Sequence, residues 1–402
     1  MREASSISVV VPARNAESHL FRTLEAVFTG LAETKDAEVI VVNDSSTDST
    51  SSIIRQFNCT ELKCFAGNRA AARNVGLRAA RGELVAFIDA DTIVEKTWFQ
   101  EMKVLFRHGV IGGAQGTLSP EHNGSPTLLN RYREDLYQRV ENQNAIAQFF
   151  PIVATGACMY RREQALAAGG FDETLSDCED MDLSWKILAA GHALGRTSNA
   201  RASTGFYPET FRRYVQRAYQ RGKGAYQLFA KWQRIFNRNP IALACSTSQL
   251  VISQRRVSLT SLPWSLLFAY AVLEAAHCCG VGCGWLRAHL RPSMRTTPLP
   301  LSTRTKTYRL NVGQTTFQVP DDVCFFSNDG VLRLIHMRTL QSVALSESGG
   351  TILECVLTGC SEEHAIVERV AEAFSEPPAA VLGDYRELVN ELSRSGWLES
   401  AP

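Results

Sequence analysis

Apolar runs and polar gaps alternate along the first hundred residues in a pattern that predicts alternating strands and helices. Ile7–Val11 is a short β-branched run and reads as a strand, while Ala16–Phe28 spaces its apolar residues as a helix does. Glu38–Val42 and Ser49–Phe57 repeat that pair, and Ala70–Ala80 supplies a third helix. Leu84–Ile88 follows as a uniformly apolar strand, covered on both faces. This order predicts an α/β fold, a mainly parallel sheet flanked by helices. Sheets of that kind bind ligands beyond the carboxyl ends of their strands.

Three polar segments fall at those ends: Pro12-Ala13-Arg14-Asn15, Asn43-Asp44-Ser45-Ser46-Thr47-Asp48 and Asp89-Ala90-Asp91. Alternation along an extended chain points Asp89 and Asp91 the same way and Ala90 the other. An isolated D-x-D is ordinarily a solvated turn. At a strand end, two carboxylates suit a divalent cation, Mg²⁺ or Mn²⁺, that takes its remaining oxygens from a diphosphate. No G-x-G-x-x-G follows the first strand, which removes support for dinucleotide binding.

A second acidic constellation comprises Gly169-Gly170-Phe171-Asp172-Glu173 and Ser176-Asp177-Cys178-Glu179-Asp180-Met181-Asp182. Leu183–Ala190 reads as a helix stopped by Gly191, so Glu179 and Asp180 lie at its N-terminus. Plain N-capping explains an acid there equally well. The chemical reading is a general base, with Asp177, Glu179 and Asp182 crowding one carboxylate and raising its pKa. The helix dipole acts in the opposite sense.

The 402 residues, 45% hydrophobic, allow two or three domains, and the net charge of +1 conceals an uneven distribution. Leu301–Pro402 carries 8 Lys/Arg against 14 Asp/Glu, whereas Arg201–Arg256 holds 11 basic residues and a single acid, Glu209. Arg213, Arg217 and Arg221 recur every four residues as one helical stripe. Beside the apolar stretch Leu262–Trp285, that stripe suggests peripheral contact with a membrane surface or lipid-borne anion. The stretch is interrupted by Glu274 and His277, and its uninterrupted core, Pro263–Leu273, is too short to span a bilayer. Eleven cysteines without a repeated framework read as reduced thiols, and His277-Cys278-Cys279 with Cys283 lacks the second arm of a zinc site. With no signal peptide ahead of the first strand, a cytoplasmic location is expected, peripheral at most on the inner face of the plasma membrane.

After a Pro-containing linker, Arg291–Leu301, short strands are predicted at Thr315–Val319, Val323–Phe326 and Val331–Ile335, the last two joined by an Asn328-Asp329-Gly330 turn. Helices are predicted at Ser348–Leu357, Ser361–Phe374 (capped by Ser361) and Tyr385–Ser393. The order suggests a small winged-helix-like unit. Its second helix is acidic, which argues against nucleic acid as a partner.

From Ile7 to about Gly224 the chain resembles the GT-A family 2 glycosyltransferases. The resemblance is carried by Val9–Asn15, Val39–Asp48, Ala72-Arg73-Asn74-Val75-Gly76, Asp89-Ala90-Asp91 and the order of Gly169–Glu173 before Glu179-Asp180. It implies that Pro12, Arg14, Asn15, Asp44, Arg73, Asp89 and Ala90 bind a nucleotide sugar. Asp44 would take the base and Asp89 the ribose, and a UDP-sugar is the commonest donor. It further implies that Asp91 ligates the metal, Asp180 is the catalytic base of an inverting transfer, and Glu179 shapes the acceptor site. Two departures stand out: Ser203-Thr204-Gly205-Phe206-Tyr207 lacks the histidine many relatives carry there, and no Q-x-x-R-W follows, which favours single-sugar transfer over polymerisation. The last eighty residues resemble PqqD-like domains, found with enzymes that modify ribosomally made peptides. That resemblance implies a precursor (leader) peptide as partner. The expected organisation is a glycosyltransferase domain at 1–240, a helical, partly apolar connector at 241–300, and a PqqD-like domain at 301–402. The expected function is glycosylation of a precursor peptide. A lipid-linked or cell-envelope glycan is the alternative acceptor, and a non-catalytic sugar-nucleotide-binding protein the remaining class.

Overall fold

Both faces of the strand Leu84–Ile88 (β4) are buried, and that requirement organises the molecule. The computed structural model describes residues 6–107, 109–120, 152–205, 210–236, 239–245, 264–290, 307–337, 339 and 341–401. Ser6–Ala13 (β1), Asp36–Asp44 (β2), Thr60–Cys64 (β3) and β4 are parallel neighbours, in the spatial order β4-β1-β2-β3. Leu20–Leu31 (α1), Thr50–Ile54 (α2) and Arg69–Ala79 (α3) connect them, matching the predicted alternation with shifted boundaries. Asn68 caps α3 by accepting from the Ala70 and Ala71 amides. Period-two alternation sorts the strands: Val9, Val11, Ala86 and Ile88 face one apolar core, and Val10, Val85 and Phe87 the other.

The sheet then grows on the far side of β4. Ala157–Arg161 (β7) pairs antiparallel with β4 and with Ile111–Pro120 (β6), which pairs parallel with Ala193–Thr204 (β8). Thr92–Val94 (β5) pairs antiparallel with β8. Two helices, Glu179–Ala189 (here α6, after α4 at Trp98–Leu105 and α5 at Arg162–Ala167) and Phe211–Lys231 (α7), cover one face, and Gln233–Phe236 (α8) extends the second.

The C-terminal unit joins this same sheet. Val323–Asn328 (β11) pairs parallel with β8, placing Phe326 opposite Leu194 and Asn328 opposite Arg196. Val331–His336 (β12) and Gln341–Ala344 (β13) continue antiparallel, so the eleven-stranded sheet ends at β13 on one side and β3 on the other. The predicted turn is present: Asp329 and Gly330 have φ of 47° and 83°, as a two-residue hairpin turn of the primed type requires. Arg309–Val312 (β9), Thr315–Gln318 (β10) and Glu399–Ser400 (β14) form a separate three-stranded sheet.

The hairpin thus continues the N-terminal sheet. Three expectations are corrected here. The second C-terminal helix, Glu363–Phe374 (α11, following α10 at Glu347–Leu357), has Glu362 at its N-cap, and the Ser361 carbonyl accepts from the Asn311 amide instead. The third helix (α12) runs Pro378–Arg394, seven residues longer at its start, because Pro378 at the first helical position presets φ. Asp182 does not crowd the candidate base, since Lys186 (2.8 Å), Lys231 (2.8 Å) and the Trp232 indole N–H (2.9 Å) occupy its oxygens.

Leu262–Trp285 falls largely within Trp264–Leu290 (α9), and no helix among the described residues is long and apolar enough to cross a membrane. This helix lies against α7 with almost no space between the backbones. A Cβ on Gly222 would stand 2.0 Å from the His277 carbonyl oxygen, and one on Gly280 2.0 Å from that of Tyr219. Gly280→Val must therefore push two main chains apart; a loss of about 1–3 kcal/mol is expected for overpacking, read as a lowered urea midpoint. His277 is buried with Nε2 2.8 Å from the Ala244 carbonyl oxygen, and all eleven cysteines are free. No group of three or more ligating side chains occurs among the described residues. The linker Arg291–Leu301 lies outside the described residues.

Candidate active site

The three polar segments predicted at strand ends converge at one edge of the sheet. After β1, Asn15 adopts a left-handed φ of 48°, and after β2 Ser45 does so at 57°. Their loops lock together: the Thr47 amide donates to Asn15 Oδ1 at 2.8 Å, and the Asn15 amide donates to Ser46 Oγ at 3.0 Å. Asp44, at the end of β2, is 5% exposed and accepts from the Gly67 amide at 3.0 Å. The Arg14 guanidinium is 3.9 Å from its other oxygen and largely in solvent, so that pair adds little stability and leaves the cation available. Pro12 is opposite Val42 in the β1–β2 ladder.

Arg73 projects from α3 into the middle of this edge and is fully buried. Its two amino nitrogens donate to Asp89 Oδ1 at 2.8 Å and to Glu179 Oε1 at 2.7 Å. A planar fork suits two carboxylates from different segments. Despite the cost of burial, its two acidic partners hold the guanidinium above the ordinary arginine range. Arg69, one turn earlier, reaches Asp177 at 3.3 Å and Glu179 at 3.9 Å. Ala90 is nearly covered, its carbonyl accepting from Thr23 Oγ1 at 2.7 Å, which pins the acidic loop to α1.

Asp180 stands in the first turn of α6, immediately after Glu179. Its pKa is raised to about 6, first by burial of the carboxyl and then by the Glu179 charge, with Arg73 and the Met181 amide opposing. The residue before them, Cys178, takes a left-handed φ of 67°, a strained position for a side chain with a Cβ. That kink opens the turn from which Glu179 reaches Arg73. Sequence reasoning anticipated the acids but missed Arg69 and Cys178; α3 spacing of Arg69 and Arg73, one turn apart, was the available signal.

Asp91 is half-buried. Gly205, whose amide donates to the Asp91 carbonyl at 2.9 Å, follows Thr204, the partner of Thr92 in the β5–β8 ladder. The stretch expected to carry a histidine thus lies beside Asp91, and Phe206 and Tyr207 fall outside the described residues. A single carboxylate there fits a Mg²⁺- or Mn²⁺-type ion that draws its other ligands from phosphates and water.

Residues 8–166 match the glycosyl transferase family 2, and residues 333–398 match coenzyme PQQ synthesis protein D (PqqD). A pre-mycofactocin glycosyltransferase of Mycobacterium tuberculosis is 29% identical over 197 residues, 47% of this chain and 40% of that protein. A UDP-Glc:alpha-D-GlcNAc-diphosphoundecaprenol beta-1,3-glucosyltransferase of Escherichia coli is 34% identical over 90 residues, 21% of this chain and 35% of that protein. The chain spans less than half the length of each. Among solved structures, a mannosyltransferase of Pyrobaculum calidifontis in complex with GDP-Man and Mn²⁺ aligns over 72% of this chain and 82% of that one. The TM-score is 0.46 and the identity 21%. Asp44, Arg73, Asp89 and Asp91 lie inside the first matched region, and Glu179 and Asp180 lie beyond its end. The chain therefore carries a glycosyl transferase family 2 domain at residues 8–166 and a PqqD domain at residues 333–398, both contributing strands to one sheet.

Proposed function

We propose that the protein is an inverting glycosyltransferase that moves a sugar from a nucleoside diphosphate donor, a UDP-sugar by preference, to a peptide recruited by its PqqD domain. The observation that carries the reading is the buried fork of Arg73, which ties Asp89 to the helix that begins Glu179-Asp180. Donor-side and acceptor-side carboxylates are thereby held in fixed relation, as an in-line displacement requires. Asp44 and Asp89 face the nucleoside, and Arg14 offers an exposed cation to phosphate. Asp180 removes the proton of the acceptor hydroxyl or thiol as that atom bonds to the anomeric carbon. The bond to the nucleoside diphosphate breaks with its electron pair leaving on the phosphate oxygen. With a pKa of about 6 the carboxylate is mostly ionised near pH 7 and still more basic than an ordinary Asp. A divalent cation held by Asp91 would supply positive charge for the departing diphosphate.

The test incubates the full chain, a panel of nucleotide sugars and a synthetic copy of each short peptide that a reading frame near its gene encodes, read by mass spectrometry. A hexose-sized increase is expected; no increase with any donor overturns the reading. In the same assay, Asp91→Asn should raise the Mn²⁺ concentration for half-maximal rate about tenfold or more, as loss of a charged ligand would.

A lipid-linked acceptor is the second reading. It is favoured by Phe268, Leu286 and Leu290, exposed on α9 near the basic α7, and by the diphosphoundecaprenol acceptor in the name of the E. coli relative. Recovery of activity with membranes, and transfer to a polyprenyl diphosphate sugar but to no peptide, would select it.

A further inference from the structure

Asp180 owes its place to the turn that precedes it. Residues 176–178 lead into α6, and Cys178 holds its left-handed φ of 67° there. A residue with a Cβ keeps such a conformation only where its surroundings over-determine it. On one side Arg69 of α3 reaches Asp177 at 3.3 Å. The other side belongs to α7.

Three residues of α7, spaced three and four apart and so on one face, meet this segment. A Cβ on Gly224 would stand 2.7 Å from the Asp177 carbonyl oxygen and 2.8 Å from its amide nitrogen, so helix and turn touch backbone to backbone. Gln227 Oε1 accepts from the Ser176 amide at 3.1 Å and from the Ser176 hydroxyl at 2.9 Å. Lys231 donates to Asp172 at 2.6 Å and to Asp182 at 2.8 Å, acids that flank the turn in sequence. The opposite face of α7 is closed as well. Gly222 lies two positions before Gly224, ~200° around the helix, and it is the residue that meets α9 at the His277 carbonyl. At this level α7 is held between α9 and the turn with no slack on either side. Gly224 only limits how near the turn can come, and Lys231 binds acids outside it. Gln227 is the residue of this face that grips the turn's entry with a side chain.

We propose that Gln227 is a positioning residue for the transfer: by holding Ser176 against α7 it fixes the Asp177-Cys178 turn, and with it the place of the Asp180 carboxylate. The proposal rests on the reading of Asp180 as the base, and Gln227 acts through the turn, not on the reacting atoms. Around Asp180 stand Glu179 and Asp177 from its own segment, Arg73 from α3, and Cys158 and Tyr160 from β7. Burial raises the Asp180 pKa most and the Glu179 charge next, so a loosened turn lets it fall toward the ordinary aspartate range.

The test compares Gln227→Leu, which removes the acceptor at similar size, with Gln227→Glu, which keeps an acceptor oxygen. In the transfer assay above, Gln227→Leu is expected to lower kcat at least tenfold while KM for the nucleotide sugar stays within about threefold, since misplacing a reacting group costs rate more than donor binding. Gln227→Glu should recover kcat to within about fivefold of the unaltered chain. Ser176→Ala, which deletes one of the two bonds, should show the same signs at smaller size should Gln227→Leu fail to fold. A second readout needs no substrate. The gain in urea midpoint from Asp180→Asn levels off with rising pH at the Asp180 pKa, about 6 in the unaltered chain. In the Gln227→Leu background that point should fall by about one pH unit or more, and the gain should shrink. A lowered urea midpoint with unchanged kcat and an unmoved levelling point would make Gln227 a structural contact only and overturn the proposal, as would failure of Gln227→Glu to recover the rate. Full rate in Asp180→Asn overturns the base reading itself, whatever Gln227 does.

Discussion

Asp180→Asn is expected to lower kcat by about three orders of magnitude, the usual worth of a positioned general base, with little change in the donor's Kd. The wild-type rate should climb with pH through about 6 and then level, because only the ionised carboxylate accepts the acceptor's proton. The residual rate of the variant should lack that limb. Stability should move the other way. The folded pKa of about 6 lies above the 3.8 of an ordinary aspartate, so the fold favours the protonated form and loses stability as pH rises between those values. Asn mimics the protonated acid, so the variant should unfold later than wild type at pH 7–8, by about 3 kcal/mol, with the gap closing below about pH 4. A variant that is both inactive and less stable at neutral pH would mean that Asp180 is a structural cap and not a base.

Arg73→Ala carries the second large effect. It leaves Glu179 buried without its closest cation and Asp89 without a partner at the donor edge. Removing one member of a buried ion pair costs about 3–5 kcal/mol, so the urea midpoint should fall sharply and transfer should be lost. Arg73→Lys keeps the charge but offers a point donor in place of a fork; it should recover much of the stability and little of the rate. Arg73 also opposes the rise in the Asp180 pKa by its charge. Arg73→Lys keeps that charge, so the acid limb of its remaining activity should stay near its wild-type place; a limb moved to higher pH would show that the position of the fork, and not its charge alone, holds the Asp180 pKa down.

Much of this edge was legible before any coordinates. Uniformly apolar Leu84–Ile88 announces a strand buried on both faces, and the polar residues right after it have nowhere to lie but the sheet's rim. The helix at Glu179 was legible from its acids and Gly191. What failed was whatever depends on partners far along the chain. Asp182 and Asp177 look alike in sequence, yet one is neutralised by Lys231 from another helix while the other faces Arg69. Ser361 has the chemistry of a cap and loses the position to Glu362, because its carbonyl is engaged by Asn311 across the small sheet. Pro378 is a readable start signal, but Ala379, Ala380 and Gly383 after it give little apolar periodicity. The joining of β11 to β8 leaves no local trace, since each strand alone satisfies its own alternation.

That pairing also imposes a schedule on synthesis. β8 is complete at Thr204, and β11 begins at Val323, about 120 residues later. At roughly 5–20 residues per second the ribosome needs on the order of 6–24 s to deliver it. Throughout that interval the Leu194–Arg196 edge of β8 waits without the strand that closes it, beside Trp185 and Leu188, which border the C-terminal strands in the finished protein. Until then the nascent chain carries an open strand edge of the kind that invites wrong pairing, and the strand leading into the PqqD domain is the piece that ends that exposure.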